Sequence, residues 1–367
     1  MSDFLGGGSV TLNSDVQRRR AGRKAAVAAL ALASLALAAC SSSGGSSGSS
    51  PTAATTGSAQ SSAPISLKVA ISPASVGQIA IWIAQDMGLF KKEGLNVTLV
   101  TAASGSAYTA ELESNQIDIG TSDLAGIIQA DAAGGDLVAI GSLYDLPTID
   151  MICRTGIAGI TTGYPAGVRS LAGKTIGTTG PGGGTTIPSF LLAAAGVNLS
   201  SVKLIDLGST ANFIAAFQAK QADCFASYQP VPTILTNDGQ KYITVINLAD
   251  GTGPAEFNNA VSSVSDARRA WAASNPEAIK RFRAAIADAV ALAKEPSQTD
   301  AIVAAVQKDY PDIDAATVKV FLQTMAKAFG TAPDITQQQF NNVVEINTKA
   351  YPTTPLPPAT FSNIVVP

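Results

Sequence analysis

Lys174-Thr175-Ile176-Gly177-Thr178-Thr179-Gly180-Pro181-Gly182-Gly183-Gly184-Thr185-Thr186 runs from a strand-like segment through a glycine-rich turn toward an apolar helix. Lys174 to Thr178 reads as the strand. The helix is expected from about Pro188 to Ala195, closed by Gly196-Val197-Asn198. Glycine lets backbone come close to a ligand, and a helix start points unpaired N–H groups and positive partial charge at it. Gly182, Gly183, Gly184, Thr185 and Thr186 are therefore candidate contacts for an oxyanion or other acceptor-rich group. Read blandly, the same residues are only a tight turn. The loop ends Gly-Thr-Thr with no lysine, so it is not a Walker A loop, and it fits a dinucleotide fingerprint poorly.

The same strand–turn–helix unit recurs on both sides. Downstream, Val202 to Leu207 is a strand, Gly208-Ser209-Thr210 a turn, and Phe213, Ala216 and Phe217 mark a helix. Ala222 to Ala226 is the next strand, ending at Ser227-Tyr228-Gln229-Pro230. Upstream, strands are expected at Leu67–Ile71, Val97–Val100, Ile117–Ile119 and Leu137–Leu143. Ile79, Trp82, Ile83, Met87 and Phe90 recur at helical spacing between the first two, and Leu124 to about Ala133 follows cap-type residues Thr121-Ser122-Asp123. This alternation predicts an α/β protein built on doubly wound, mainly parallel sheets. Ile117-Asp118-Ile119-Gly120 and Ala222-Asp223-Cys224-Phe225 occupy matching places, which predicts two similar lobes facing each other.

Such sheets bind ligands beyond the carboxyl ends of their strands. The turns there carry Ser72, Gln78, Ser104, Ser106, Thr121 and Ser122 in the first lobe and Tyr228 and Gln229 in the second. All are hydrogen-bonding groups rather than catalytic ones, and singly each reads as well as a cap or turn former. Tyr144, Tyr228 and Trp82 are candidates for a stacking surface, Trp82 being equally at home in the core.

Composition narrows the chemistry further. The net charge is −3, which argues against a nucleic-acid partner. There is no histidine, which removes Ser-His-Asp and Cys-His nucleophile systems and histidine-based metal sites. No catalytic residue, metal or cofactor is expected, and the chain is read as not an enzyme. Of the three cysteines, Cys153 and Cys224 sit in apolar strand-like segments, where they can pair as a disulfide or remain two buried small hydrophobes.

The beginning of the chain reads as an address. Arg18, Arg19, Arg20, Arg23 and Lys24 precede an uncharged Ala/Leu-rich run from Ala25 to Ala39. That run is shorter than the roughly twenty residues needed to span a bilayer, so residues 1–39 are expected to be an export signal. Residues 41–64 are almost all Ser, Gly, Thr and Ala, a composition that cannot offset its own ordering entropy. Such a linker spans roughly 25–30 Å root-mean-square.

Three stretches carry resemblances to known families. Leu37-Ala38-Ala39-Cys40 resembles the lipobox of bacterial lipoproteins, which implies lipid on Cys40 and anchoring at the outer face of the cytoplasmic membrane. Gln85-Asp86-Met87-Gly88-Leu89-Phe90-Lys91-Lys92-Glu93-Gly94-Leu95-Asn96-Val97 resembles the entry segment of substrate-binding proteins of nitrate/sulfonate/taurine-type ABC importers. Leu171-Ala172-Gly173-Lys174-Thr175-Ile176-Gly177 with its glycine loop is similar to their second-lobe entry, and the likeness extends from Leu67 to about Phe282. It implies a two-lobe, type II periplasmic-binding clamshell with two hinge crossings and a helical C-terminal tail on lobe one. Lobe I would be 65–152 plus 262–367, lobe II 153–261, and 40–64 the lipidated linker. The implied function is a monomeric solute-binding lipoprotein that delivers a small organic or oxyanion solute to permease and ATPase subunits of an importer. The family also includes binders of thiamine-pyrimidine precursors. The alternatives are a sensor signalling to a receptor, or a pyrimidine-biosynthesis enzyme of the same fold. That enzyme works through a histidine and a cysteine-rich motif, and this chain has neither. In the tail, Ser274 and Glu277 are expected to form a capping box around Pro276.

Overall fold

The protein is described from a computed structural model covering residues 63–71, 78–101, 108, 111–179, 183–208, 210–308, 314–330, 333–351 and 355–367. Cys40, the segment expected to be a signal and the expected linker up to residue 62 lie outside these residues. Residues 60–367 form one compact unit.

Ten strands are described: β1 (Ile65–Ile71), β2 (Leu95–Thr101), β3 (Ile119–Ser122), β4 (Leu137–Tyr144), β5 (Ile149–Arg154), β6 (Thr175–Thr178), β7 (Lys203–Asp206), β8 (Cys224–Tyr228), β9 (Tyr242–Asn247) and β10 (Ser263–Arg268). They build two five-stranded sheets of order β2-β1-β3-β10-β4 and β7-β6-β8-β5-β9. β1 runs parallel to β2 from Ile65↔Leu95 to Ile71↔Thr101, and parallel to β3. β10 lies antiparallel between β3 and β4, and β5 lies antiparallel between β8 and β9. Each sheet therefore has one reversed strand among strands that share a direction. The reversed strands follow the two passages between sheets, through 145–148 outward and 258–262 on return. The expected lobe boundary at 152/153 lies inside β5.

The sheets are covered on both faces, which is why their strands read as apolar runs rather than alternating ones. In helix Pro276–Lys294 the stripe Ile279, Phe282, Ile286, Val290 and Ala293 is buried against the first sheet's core, with Phe282 stacked on Phe90 at 5.5 Å between centroids. The capping box expected at its start is absent. Ser274 closes the preceding helix and donates to the Ala270 carbonyl at 2.9 Å, while Glu277 pairs with Arg281. A capping box occurs instead at Thr336 and Gln339, opening helix Gln337–Ala350.

That last helix corrects the expected tail. Phe340 and Val343 pack with Leu124 and Ile128 beside the first sheet. Ile346 and Ala350 pack with Phe190 and Phe257 in the core of the second. An apolar stripe shows that a face is covered but not by which neighbour, and here one stripe is divided between two cores.

Cys153 and Cys224 face each other across the β5–β8 pair and are joined in a disulfide. Both are fully buried, so the bond closes a long loop inside the second sheet's core.

Candidate ligand cleft

A cleft of about 850 Å³, its open mouth included, lies between the two sheets. The first sheet contributes Gln78 at the start of helix Ile79–Asp86, Thr121 and Ser122 at the end of β3, Asp123, and Tyr144 at the end of β4. The second contributes Thr179 after β6, Gly184 and Ile187 of helix Gly183–Ala194, and Tyr228 at the end of β8. Thr148, Ile149, Ser262 and Ser263 close the cleft along the passages. These are the carboxyl ends of strands from both sheets, where the topology leaves room between helices.

On the first-sheet side, a buried carboxyl organises the floor. Asp266 on β10 is fully buried. Ser122 Oγ donates to its Oδ2 at 3.1 Å, and the Tyr108 hydroxyl donates to Oδ1. Burial pushes the Asp266 carboxyl up to about 6, against the opposing pull of these two hydrogen bonds. Burial and the Asp266 charge likewise hold the Tyr108 hydroxyl well above the usual phenol range. Gly120 permits the arrangement: a Cβ there would lie 2.0 Å from the Tyr108 hydroxyl oxygen. Next along β3, Thr121 Oγ1 is buried with no hydrogen-bond partner among the described residues. Asp123 caps helix Leu124–Ala132, its Oδ1 accepting from the Gly126 N–H at 2.7 Å. The positive end of that helix is thus filled by the chain's own carboxylate.

On the second-sheet side, Gly183 and Gly184 belong to the helix rather than to a loop before it. Gly183 is its first residue, five positions earlier than expected. A Cβ on Gly184 would lie 1.9 Å from Thr179 Oγ1, so the Thr179 side chain rests against the helix start.

The structure gathers Gln78, Thr121, Ser122, Tyr144, Gly184 and Tyr228 into the cleft. Ser72, Ser104, Ser106 and Gly182 lie outside the described residues. Thr185 turns its hydroxyl toward Thr178 Oγ1 at 3.4 Å, and Thr186 donates to the Tyr351 hydroxyl at 3.4 Å. Gln229, before a cis peptide bond to Pro230, is buried and accepts from Thr233 at 2.8 Å. Of the three stacking candidates, Trp82 is core, and Tyr144 is buried with its ring stacked on Phe329 at 5.2 Å. Tyr228 is half-buried and faces the cleft.

Sequence reasoning passed over Thr148, Thr179, Ile187, Ser262 and Ser263 as lining residues, and took Asp123 only as a cap. Thr148, Ser262 and Ser263 lie on the passages, where no periodicity marks them. Asp266 did carry a signal, being an acid between apolar neighbours in Val264-Ser265-Asp266-Ala267. Apart from tyrosines, Asp123 is the one ionisable side chain among the described lining residues. The segments 72–77, 102–107 and 180–182, outside the described residues, carry no charged residue in sequence. Arg154 is turned away, bonding to the Ala222 carbonyl at 2.7 Å and facing Asp223 at 3.7 Å. No cluster of His, Cys, Asp and Glu among the described residues could hold a metal ion.

Two mixed five-stranded sheets with a cleft between their carboxyl ends define a periplasmic-binding-protein fold. The chain belongs to the NMT1/THI5-like family, whose profile matches residues 77–299. Among solved structures it is similar to the periplasmic aliphatic sulphonate binding protein SsuA from Escherichia coli. That match has a TM-score of 0.62 and 20% identity over 79% of this chain and 91% of that one. The alkanesulfonate-binding protein SsuA from Xanthomonas axonopodis pv. citri, bound to MOPS, matches with a TM-score of 0.64 and 19% identity, over 83% of this chain and 97% of that one.

Curated relatives bear a different kind of name. A 4-amino-5-hydroxymethyl-2-methylpyrimidine phosphate synthase from Candida albicans is 27% identical over 57% of this chain and 61% of its own length. One from Uromyces fabae is 30% identical over 33% of this chain and 38% of its own length. The chain thus spans about 40–60% of these relatives. Their names overturn the expectation that the chain is not an enzyme. That expectation rested on missing histidine and cysteine motifs, and such an inventory removes particular catalytic devices without removing catalysis.

Proposed function

We propose that this protein is an extracytoplasmic solute-binding protein that holds a small molecule between two lobes and hands it to the permease of an ABC importer. The observation that carries the reading is the cleft itself, where hydroxyl and amide groups from the carboxyl ends of strands in both sheets converge. We take lobe I as 65–147 with 262–367 and lobe II as 148–261, hinged at the two passages, so closure around a solute combines rotations there with adjustment of helix Gln337–Ala350, which packs in both cores. The buried Cys153–Cys224 disulfide supports an oxidising compartment. The reading of Cys40 as a lipidated N-terminus supports a tether beside the importer.

The test is a thermal-shift screen of the purified protein against amines, amino acids, sulfonates, nitrate, aromatic acids and pyrimidines. A solute at 100 times its Kd stabilises by about 2.7 kcal/mol. Replacing Gly184 with Val, which drives a side chain into Thr179 at the cleft wall, should abolish the shift. A screen in which no solute raises Tm, or a Gly184→Val variant that binds as well as the parent, sinks the reading.

A second reading is favoured by the names of the curated relatives: the same cleft supports synthesis of a pyrimidine phosphate. Mass spectrometry of a bound solute after incubation separates the two, since transport returns it unchanged.

A further inference from the structure

A buried carboxyl, Asp266, stands behind the cleft floor at the centre of β10. Burying an acid costs stability unless it is well bonded, and an apolar residue at the centre of β10 would pack without that cost. Asp266 is nevertheless placed where both of its oxygens accept hydrogen bonds, from Ser122 and from Tyr108. A serine hydroxyl has one proton. Spent on Asp266, it leaves Ser122 only lone pairs to offer the cleft. Beside it, Asp123 contributes a carboxylate whose one oxygen is engaged by the Gly126 N–H, at the helix end where an anion would otherwise sit. At the end of β3 the first-sheet wall thus turns acceptors, Ser122 Oγ and the Asp123 carboxylate, toward the cleft.

We propose that Asp266 is a positioning residue that fixes the Ser122 hydroxyl as an acceptor, so that the first-sheet side of the cleft selects solutes presenting N–H donors, such as ammonium or amino groups, over bare oxyanions. This rests on the reading of the cleft as a solute site. The groups facing Asp266 are Tyr108, Ser122 and, at longer range, Asp123, whose charge adds to the upward push on its carboxyl. As pH falls through about 6, Asp266 takes up a proton that it can donate to Ser122. The Ser122 hydroxyl then reverses, and affinity for donor solutes falls.

Three proteins test this, the parent, Asp266→Asn and Ser122→Ala, each titrated at pH 5 and pH 8. The probes are primary alkylamines, amino acids and amino-substituted heteroaromatics on one side, nitrate, alkanesulfonates and carboxylates on the other. The parent should bind a probe of the first group, more weakly at pH 5. Asp266→Asn, whose amide N–H donates to Ser122, should lose about tenfold in affinity for it and lose the pH dependence. Ser122→Ala, which leaves the Asp266–Tyr108 bond in place and does not depend on refolding the sheet around a new group, should do the same. If the parent binds only oxyanions, the cleft stands as a solute site and the donor preference is overturned. Donor binding unchanged in Ser122→Ala overturns it equally. If no probe of either group binds, the solute-site reading falls first.

Discussion

Asp150 shows how one side chain couples the fold to pH. It lies on β5, 5% exposed, and burial, helped by the nearby Asp250 charge, lifts its carboxyl from 3.8 to about 7. An acid that holds its proton more tightly folded than unfolded stabilises the fold while protonated. That contribution is complete below the unfolded pKa and is lost as pH rises through about 7. Asp150→Asn keeps the size and removes the titration. Relative to the parent, the variant should therefore gain stability steadily between pH 4 and pH 8, read as the difference between their Tm values. Parallel Tm curves across that range would show that Asp150 titrates normally. At this scale the sequence offered candidate groups but not their surroundings. Thr121, Ser122 and Tyr228 could be picked out because they are polar residues gathered at the carboxyl ends of predicted strands. The engagement of Thr185, Thr186 and Gln229 with Thr178, Tyr351 and Thr233 could not. Tyr351 lies 165 residues from Thr186, and although Thr178 and Thr233 are near in the chain, no periodicity shows which way the Thr185 and Gln229 side chains turn.

At the scale of elements, periodicity carried most of the prediction. Strand runs, helical stripes and the echo between β3 and β8 follow from local apolar spacing, which survives whatever the tertiary context. Their pairing does not. Cys153 and Cys224 face each other only because β5 is inserted against the direction of β8. Their bond spans a sequence separation of 71 residues, and in the chain-entropy picture it should contribute about 4 kcal/mol. Urea unfolding with and without reductant measures this, and an unmoved midpoint would show that the bond contributes nothing. The misplaced capping box has a similar origin. Ser274-x-x-Glu277 satisfies the pattern, but the helix Arg269–Ser274 runs up to Pro276 and takes Ser274 as its last residue.

For the molecule as a whole, helix Gln337–Ala350 is the element that two cores share. Its first half packs beside the first sheet and its last turns enter the second, so it limits how freely the lobes can separate. Ile346→Ala removes one of the second-core contacts and should destabilise the protein by about 2–4 kcal/mol in denaturant, with one unfolding transition retained. A negligible change would show that the helix does not anchor the second lobe. A transition split in two by the substitution would show instead that Ile346 is the tie between them. The family and the two-sheet fold, by contrast, were legible along the chain, since the motif series from Gln85 to Pro230 keeps the order in which strands and helices alternate.

What the sequence settled is therefore the alternation of strands and apolar helices, the doubling of the lobe and the scarcity of charge around the predicted turns. All of these are local, because backbone conformation and apolar spacing act within a few residues. Tertiary structure decided which strand is reversed in each sheet, which cysteines meet, where helix Gln337–Ala350 lies, and that Asp266 stands behind Ser122. These are contacts between segments far apart in the chain, and their energies depend on burial and on partner geometry that no local pattern encodes.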